Sequence, residues 1–292
     1  MTTPTAPFGL LLDVDGPIAS PVTRTLHLPE IAQRLVWLAD HDVPIAFNTG
    51  RSTDFVSEQI VPELADAGLR DSARPLVVIG EKGAVWARIG PAGLRDLRVD
   101  ETMRVPEPVI DFGRSAAAGE FAATMFFDDT KRTMLSVEMI AGSDHGAFLR
   151  QRDALVRQLA ALCDRLGAHD LRIDPTVISC DVEVERSGKA LGAERALQML
   201  GDDGPLPDRW FTVGDSRSDY AMADWLYAQG YQPTHVDVQP GDPQTTGARP
   251  DGTLEKPYPV LLIADPAHPQ RILTDDDAGA ALLGRCVESC TV

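Results

Sequence analysis

The chain has 292 residues, 43% hydrophobic and 24% charged, the balance of a soluble globular protein with one large domain or two ordinary ones. Its 44 acidic against 27 basic residues give a formal net charge of −17, which argues against a nucleic-acid partner or an anionic membrane, and leaves any phosphorylated ligand in need of local cations or a metal. No apolar run approaches the ~20 residues of a membrane helix, the opening MTTPTAP lacks the pattern of a secretory signal, and Cys163, Cys180, Cys286 and Cys290 show no CxxC pairing, so a cytoplasmic protein is expected.

In chain order, FGLLLDV reads as a buried strand, and residues 29–42 as a helix with Pro29 in its first turn. VPIAFNT is a second strand, residues 52–67 a second helix, and RPLVVIG a third strand followed by GAVWARI. This alternation implies an α/β protein with a parallel sheet covered by helices. The rhythm changes between residues 89 and 182, which hold a strand-like KRTMLSVEMI, a long helix from about Asp144 to Leu166, and strand-like pieces near 170–185. From Ser187 the first rhythm returns, with a helix GKALGAERALQML, a strand RWFTVGD and a helix DYAMADWLYAQ. Residues 239–259 form a Pro- and Gly-rich loop, and YPVLLIA and a helical DDDAGAALLGRCVE close the chain. The expected organisation is a core of residues 1–88 and 183–292 interrupted by an inserted domain, 89–182.

Ligands of open α/β sheets bind outside the carboxyl ends of the strands, and four segments there carry chemistry. Asp13 and Asp15 follow the first apolar run. Two residues apart on extended chain, they point to the same side and repel unless a cation or proton intervenes. A turn beside Gly16 accounts for one such Asp but not two, and Pro17 stands where an EF-hand calcium loop needs an oxygen ligand. Asn48, Thr49, Gly50 and Arg51 end the second strand ahead of a helix start, an anion cradle. On that segment alone, a solvated Thr49 with Ser52 as the helix N-cap explains the residues equally well. Lys189, in the first turn after Ser187 as N-cap, opposes the helix dipole unless a buried anion pairs with it, although surface lysines tolerate such a place. Asp215 ends an apolar strand after Gly214, and Asp219 lies at the next helix start, where an N-cap role would also explain it.

In this order, Asp-x-Asp, Thr, Lys and Gly-Asp-x3-Asp resemble the four motifs of the haloacid dehalogenase superfamily of phosphohydrolases. GEKGAVW resembles the segment before that family's large cap, and TKRTMLSVE a cap strand of its Cof-like and phosphomannomutase-like branch. The resemblance implies a Rossmann-like parallel-sheet core with an inserted α+β cap domain. It also implies a Mg²⁺-dependent phosphatase that acts on a small phosphorylated metabolite, a sugar phosphate or glycosyl phosphate, through an aspartyl phosphate. Asp13 would be the nucleophile and Asp15 the acid and base. Thr49 and Gly50, with Asn48 and Arg51 beside them, would hold the phosphate, and Lys189 would neutralise it. The metal would be held by Asp13, the Asp15 carbonyl, Asp215 and, through water, Asp219. Lys131 and Arg132 on the cap strand are candidate donors to the leaving group. Because strand neighbours point opposite ways, Arg132 is the one expected to reach it. Lys82 departs from the Asn common in the family, Pro17 from its frequent Thr or Val, and GDSRSD lacks the Asn that many relatives place before the second Asp. Two rival readings are a phosphomutase of the same superfamily and a non-catalytic metabolite-binding regulator on this scaffold. The presence of Asp13, Asp15, Lys189 and Asp215 argues against the regulator.

Overall fold

The computed structural model describes residues 6–20, 23–71, 74–240 and 249–291. The chain forms two compact units, Met1–Arg98 with Gly188–Val292, and Val99–Ser187. The first opens with β1 (Gly9–Leu12), α1 (Pro29–Asp40), β2 (Ile45–Asn48), α2 (Thr53–Gln59), α3 (Val61–Asp66), β3 (Leu76–Gly80), β4 (Val85–Gly90) and β5 (Gly93–Val99). The second holds α4 (Glu107–Ala118), β6 (Met125–Phe127), β7 (Leu135–Met139), α5 (His145–Leu166), β8 (Leu171–Pro175) and β9 (Ser179–Val184). The chain then returns to the first unit with α6 (Lys189–Asp202), β10 (Arg209–Gly214), α7 (Tyr220–Ala228), β11 (Gln232–Asp237), β12 (Val260–Leu261) and α8 (Asp275–Cys290).

The first unit is built on one sheet in the order β12-β11-β10-β1-β2-β3-β4-β5. The strands from β12 to β3 pair in parallel, and β4 runs antiparallel to β3. Alternate residues of the central strands feed two apolar layers, as a sheet with two buried faces requires. Leu10, Leu12, Phe47 and Val78 pack with Ile31 and Leu35 of α1 and Leu283 of α8. Leu11, Ala46, Val77 and Ile79 pack with Ala193 and Leu197 of α6 and Met222 and Leu226 of α7. The helix expected over 52–67 is two helices. Ser52 caps the first, accepting from the Phe55 N–H at 3.1 Å, and Pro62 in the first turn of the second removes an N–H that a continuous helix would need. Strands β4 and β5 both join this sheet, so the second unit starts at Val99, later than residue 89.

The second unit has a four-stranded antiparallel sheet, β6-β7-β9-β8. Period-two alternation sends Leu135, Val137, Cys180 and Val182 into a core with Val109 of α4 and Phe148, Leu155 and Leu159 of α5. Their neighbours Ser136, Glu138, Asp181 and Glu183 make the other face polar. There Ser136 Oγ donates to Asp181 Oδ1 at 2.7 Å across the β7–β9 register, and Arg172 pairs with Glu183 across β8–β9. Among the described residues no helix is long and apolar enough to cross a membrane.

Strands β5, β6 and β11 and helix α4 have no counterpart in the sequence reading. Strand β11, QPTHVD, lacks an apolar run because its centre is a polar pair. Thr212 and His235 are register partners in β10 and β11, joined at 2.8 Å from Thr212 Oγ1 to His235 Nδ1, with the Tyr220 ring 4.0 Å from the imidazole. Burial lowers the His235 pKa from 6.5 to about 4, against the opposing pull of Asp219 and Asp224. An imidazole that protonates at higher pH unfolded than folded gives stability that is full above pH 6.5 and lost as pH falls toward 4. His235→Asn should flatten that limb by about 2–3 kcal/mol. A denaturation series from pH 7 to pH 4 with the same slope in both proteins would contradict it.

Candidate active site

The adjacent strands β10, β1 and β2 end side by side, and the residue after each carries a functional group: Asp215, Asp13 and Thr49. Chain order reverses between β1 and β10, the place where open α/β sheets bind ligands. Gly16 has φ +92°, and a Cβ there would come within 2.9 Å of Asp215 Cβ, so a side chain at this turn would crowd Asp215.

Lys189, the first residue of α6, brings the segments together. Its Nζ lies 2.7 Å from Asp13 Oδ2, 2.6 Å from Asp219 Oδ1 and 2.8 Å from the Asn48 carbonyl oxygen. The helix N-cap is Gly188, not Ser187 as expected, and among the described residues no side chain caps this end. The cation's conflict with the helix dipole is therefore outweighed by two carboxylates within hydrogen-bond reach. Asp219 is fully buried, and its Oδ2 accepts from the Ser216 N–H at 3.0 Å and the Ser216 hydroxyl at 2.7 Å. It thus serves both as partner of Lys189 and as half of a capping box.

Ligand oxygens of Asp13, Asp215 and Asp219 lie within 4.8 Å of one another. Burial pushes the Asp13 carboxyl well above its usual range, with Lys189 opposing and Asp219, Asp215 and Asp15 adding to the rise. Burial and then Asp219 push Asp215 up to about 7. Asp219 is held low, since Lys189 and the Ser216 hydrogen bonds overcome its burial. A further cation bound here would favour ionisation of Asp13 and Asp215, which burial resists. An oxygen-only donor set of this size fits a hard divalent ion such as Mg²⁺.

Asp15 is gripped by Arg51, whose Nε and Nη2 donate to its two carboxylate oxygens at 2.9 and 3.0 Å while the guanidinium lies over the Phe55 ring. Arg51 therefore stands beside Asp15 as well as in the Thr49–Gly50 turn. The Thr49 hydroxyl accepts from the Arg51 N–H at 3.0 Å, which closes that loop around Gly50. Asn48 is placed differently from its expected role. It is fully buried with its amide on Lys189, so it offers a substrate nothing.

Lys82, noted in the sequence only as a departure, belongs to this neighbourhood. Glu81 and Lys82 have φ of +48° and +53°, a conformation that costs non-glycine residues about 1–3 kcal/mol each. The turn is held by the Glu81 N–H on the Arg51 carbonyl at 2.9 Å, the Lys82 N–H on the Thr49 carbonyl at 3.1 Å, and the Gly188 N–H on the Lys82 carbonyl at 2.7 Å. The Lys82 stem passes over Gly50, its Cε 3.6 Å from where a Cβ would stand.

Lys131 and Arg132 lie in the second unit, in the bend before β7 rather than on a strand. Alternation therefore does not separate them. Both line one pocket of about 160 Å³ with Arg104, Arg114, Phe127 and Asp129. Arg104 Nη1 donates to the Arg132 carbonyl at 2.6 Å, and Arg114 stacks on Phe127 with its guanidinium 4.7 Å from the ring centre.

An open parallel sheet with these groups at its carboxyl edge, interrupted by an α+β insertion, is the haloacid dehalogenase-like fold. The solved structures agree. The chain is similar to the C-terminal domain of trehalose-6-phosphate phosphatase from C. albicans, at TM-score 0.62 and 15% identity over 97% of this chain and 93% of that one. It is similar to a haloacid dehalogenase-like hydrolase from Bacteroides thetaiotaomicron, at TM-score 0.58 and 12% identity over 95% and 99%. A third is Aspergillus fumigatus trehalose-6-phosphate phosphatase, at TM-score 0.51 and 15% identity over 97% and 94%. At these identities the likeness is one of fold. No family model matches the chain. Among curated proteins, an alanine–tRNA ligase of Prochlorococcus marinus (strain MIT 9303) is 28% identical over 158 residues, 53% of this chain but only 17% of that relative's length.

Proposed function

We propose that the protein is a Mg²⁺-dependent phosphatase that hydrolyses a small phosphorylated metabolite of the sugar-phosphate class. The observation that carries this reading is Lys189 bridging Asp13 and Asp219 while Asp215 stands beside them. Three carboxyl groups and a fixed cation within one small volume at the strand ends support a carboxylate nucleophile working beside a bound metal. In the reaction, an Asp13 oxygen attacks phosphorus, the bond to phosphorus forms as that to the leaving oxygen breaks, and Asp15 protonates the departing alkoxide. Asp15 then takes a proton from the water that hydrolyses the aspartyl phosphate. Arg51 directs the Asp15 carboxylate, the Thr49–Gly50 loop holds the non-transferring oxygens, and Lys189 balances their charge. Asp13, the Asp15 carbonyl, Asp215 and, through water, Asp219 would hold Mg²⁺, which would supply Lewis-acid cancellation of phosphate charge. Support for the substrate class comes from similar folds that bear the name trehalose-6-phosphate phosphatase.

The direct test is phosphate release from a panel of phosphorylated metabolites. Activity should stop in EDTA and return with Mg²⁺. Asp215→Ala should lose both the activity and the rise in Tm that Mg²⁺ gives the parent protein. Full turnover in excess EDTA would reject the reading, and isomer formation without phosphate release would replace it with the phosphomutase.

The pocket lining changes what is expected of the second unit. Arg132→Ala and Lys131→Ala should each raise KM for the sugar phosphate about tenfold, the loss of one charged hydrogen bond, and leave hydrolysis of a small aryl phosphate unchanged. Equal losses on both substrates would assign these residues to folding instead.

A further inference from the structure

The mechanism above makes no use of the contact between Asn48 and Gly192. Asn48 is fully buried at the end of β2. Its Nδ2 donates to the Lys189 carbonyl at 2.9 Å, and its own backbone carbonyl accepts from Lys189 Nζ at 2.8 Å. One residue therefore holds the lysine at both ends, backbone and ammonium. The amide can face only this way, because its oxygen would repel the Lys189 carbonyl. Its Oδ1 is consequently left buried with no hydrogen-bond partner among the described residues, a cost that an apolar side chain would avoid. The carboxamide sits against Gly192, one turn along α6, where a Cβ would overlap it. Glycine inside a helix is itself less stable than alanine. Two local costs at one contact indicate a requirement other than packing.

We infer that Asn48 is a positioning residue for Lys189. Seated in the notch left by Gly192, it fixes the first turn of α6 so that one ammonium meets Asp13 and Asp219 together. A lysine stem has four rotatable bonds, so the placement of the turn that carries it decides which carboxylates its ammonium reaches. The kinetic part of this inference rests on the phosphatase reading.

Three variants test it: Asn48→Ala, Gly192→Ala and the double variant. Kinetics on p-nitrophenyl phosphate at saturating Mg²⁺, Tm, and a crystal structure of Asn48→Ala are the readouts. Asn48→Ala should lose about tenfold or more in kcat with little change in Tm, and its Lys189 Nζ should leave one of the two carboxylates. Gly192→Ala should lose both Tm and kcat. In the double variant the new methyl occupies the vacated space, so Tm should return toward the parent value while kcat stays as low as in Asn48→Ala. Recovery of kcat in the double variant would show that Asn48 only fills space, and overturn the inference. Lys189 held unmoved in the Asn48→Ala structure would overturn it too. That structural readout holds even for a protein that releases no phosphate, a result that would reject the phosphatase reading alone.

Discussion

Asp13→Asn should lower phosphate release by at least about 10⁴-fold while the protein stays folded. The amide keeps the shape of the carboxylate and an oxygen for Lys189 Nζ, which lies 2.7 Å from the native Oδ2, but it is no nucleophile. The same substitution should hold or raise Tm without metal. Burial and three neighbouring carboxylates already push the Asp13 carboxyl well above its usual range, so the native charge is disfavoured in this place. With Mg²⁺ present the order should reverse, because the parent gains a metal ligand that the variant lacks. Near-normal turnover by a folded Asp13→Asn protein would remove the covalent mechanism. A large fall in metal-free Tm would mean that the charge stabilises the resting protein.

The second large effect is expected from Lys189→Met. This removes the shared partner of Asp13 and Asp219, both buried, and stranding a buried charge costs about 3–5 kcal/mol. The loss should depend on pH with a definite sign. Without the ammonium both carboxyls bind protons more tightly folded than unfolded, so stability falls as pH rises. Urea unfolding should therefore show a larger deficit at pH 8 than at pH 5. Turnover should fall by roughly 10²–10³, the usual scale for losing one preorganised electrostatic contact in a transition state. An equal deficit at both pH values would mean that the lysine contributes packing rather than charge.

Much of the first unit was legible because its chemistry stands at the ends of unmistakable apolar runs. GLLL, IAFN and RWFTVG are strands, and Asp13, Thr49 and Asp215 follow them. Strand β11 was hidden because Thr212 and His235 satisfy each other across the register, a pairing that no single segment displays. Helix α4 was hidden by Pro106, Pro108 and Gly113, which read as a loop when taken locally. The contacts that define the site are harder still. Asn48 meets Lys189 across 141 residues of sequence, and Arg51 meets Asp15 across 36. Periodicity reports which face a residue occupies, not which distant residue shares it. The bend at Lys131 and Arg132 was misread because KRT continues a β-prone run, although strand pairing begins only at Leu135.

Each unit has its own apolar core. The clusters around Leu12 and Leu11 belong to the first unit, and that around Phe148 and Leu155 to the second. A cavity cut at Leu155 removes apolar contacts from the second core, at the usual cost of about 2–5 kcal/mol for a buried leucine cut to alanine. Sequence drift that repacks one of these cores therefore leaves the side chains of the other core unchanged.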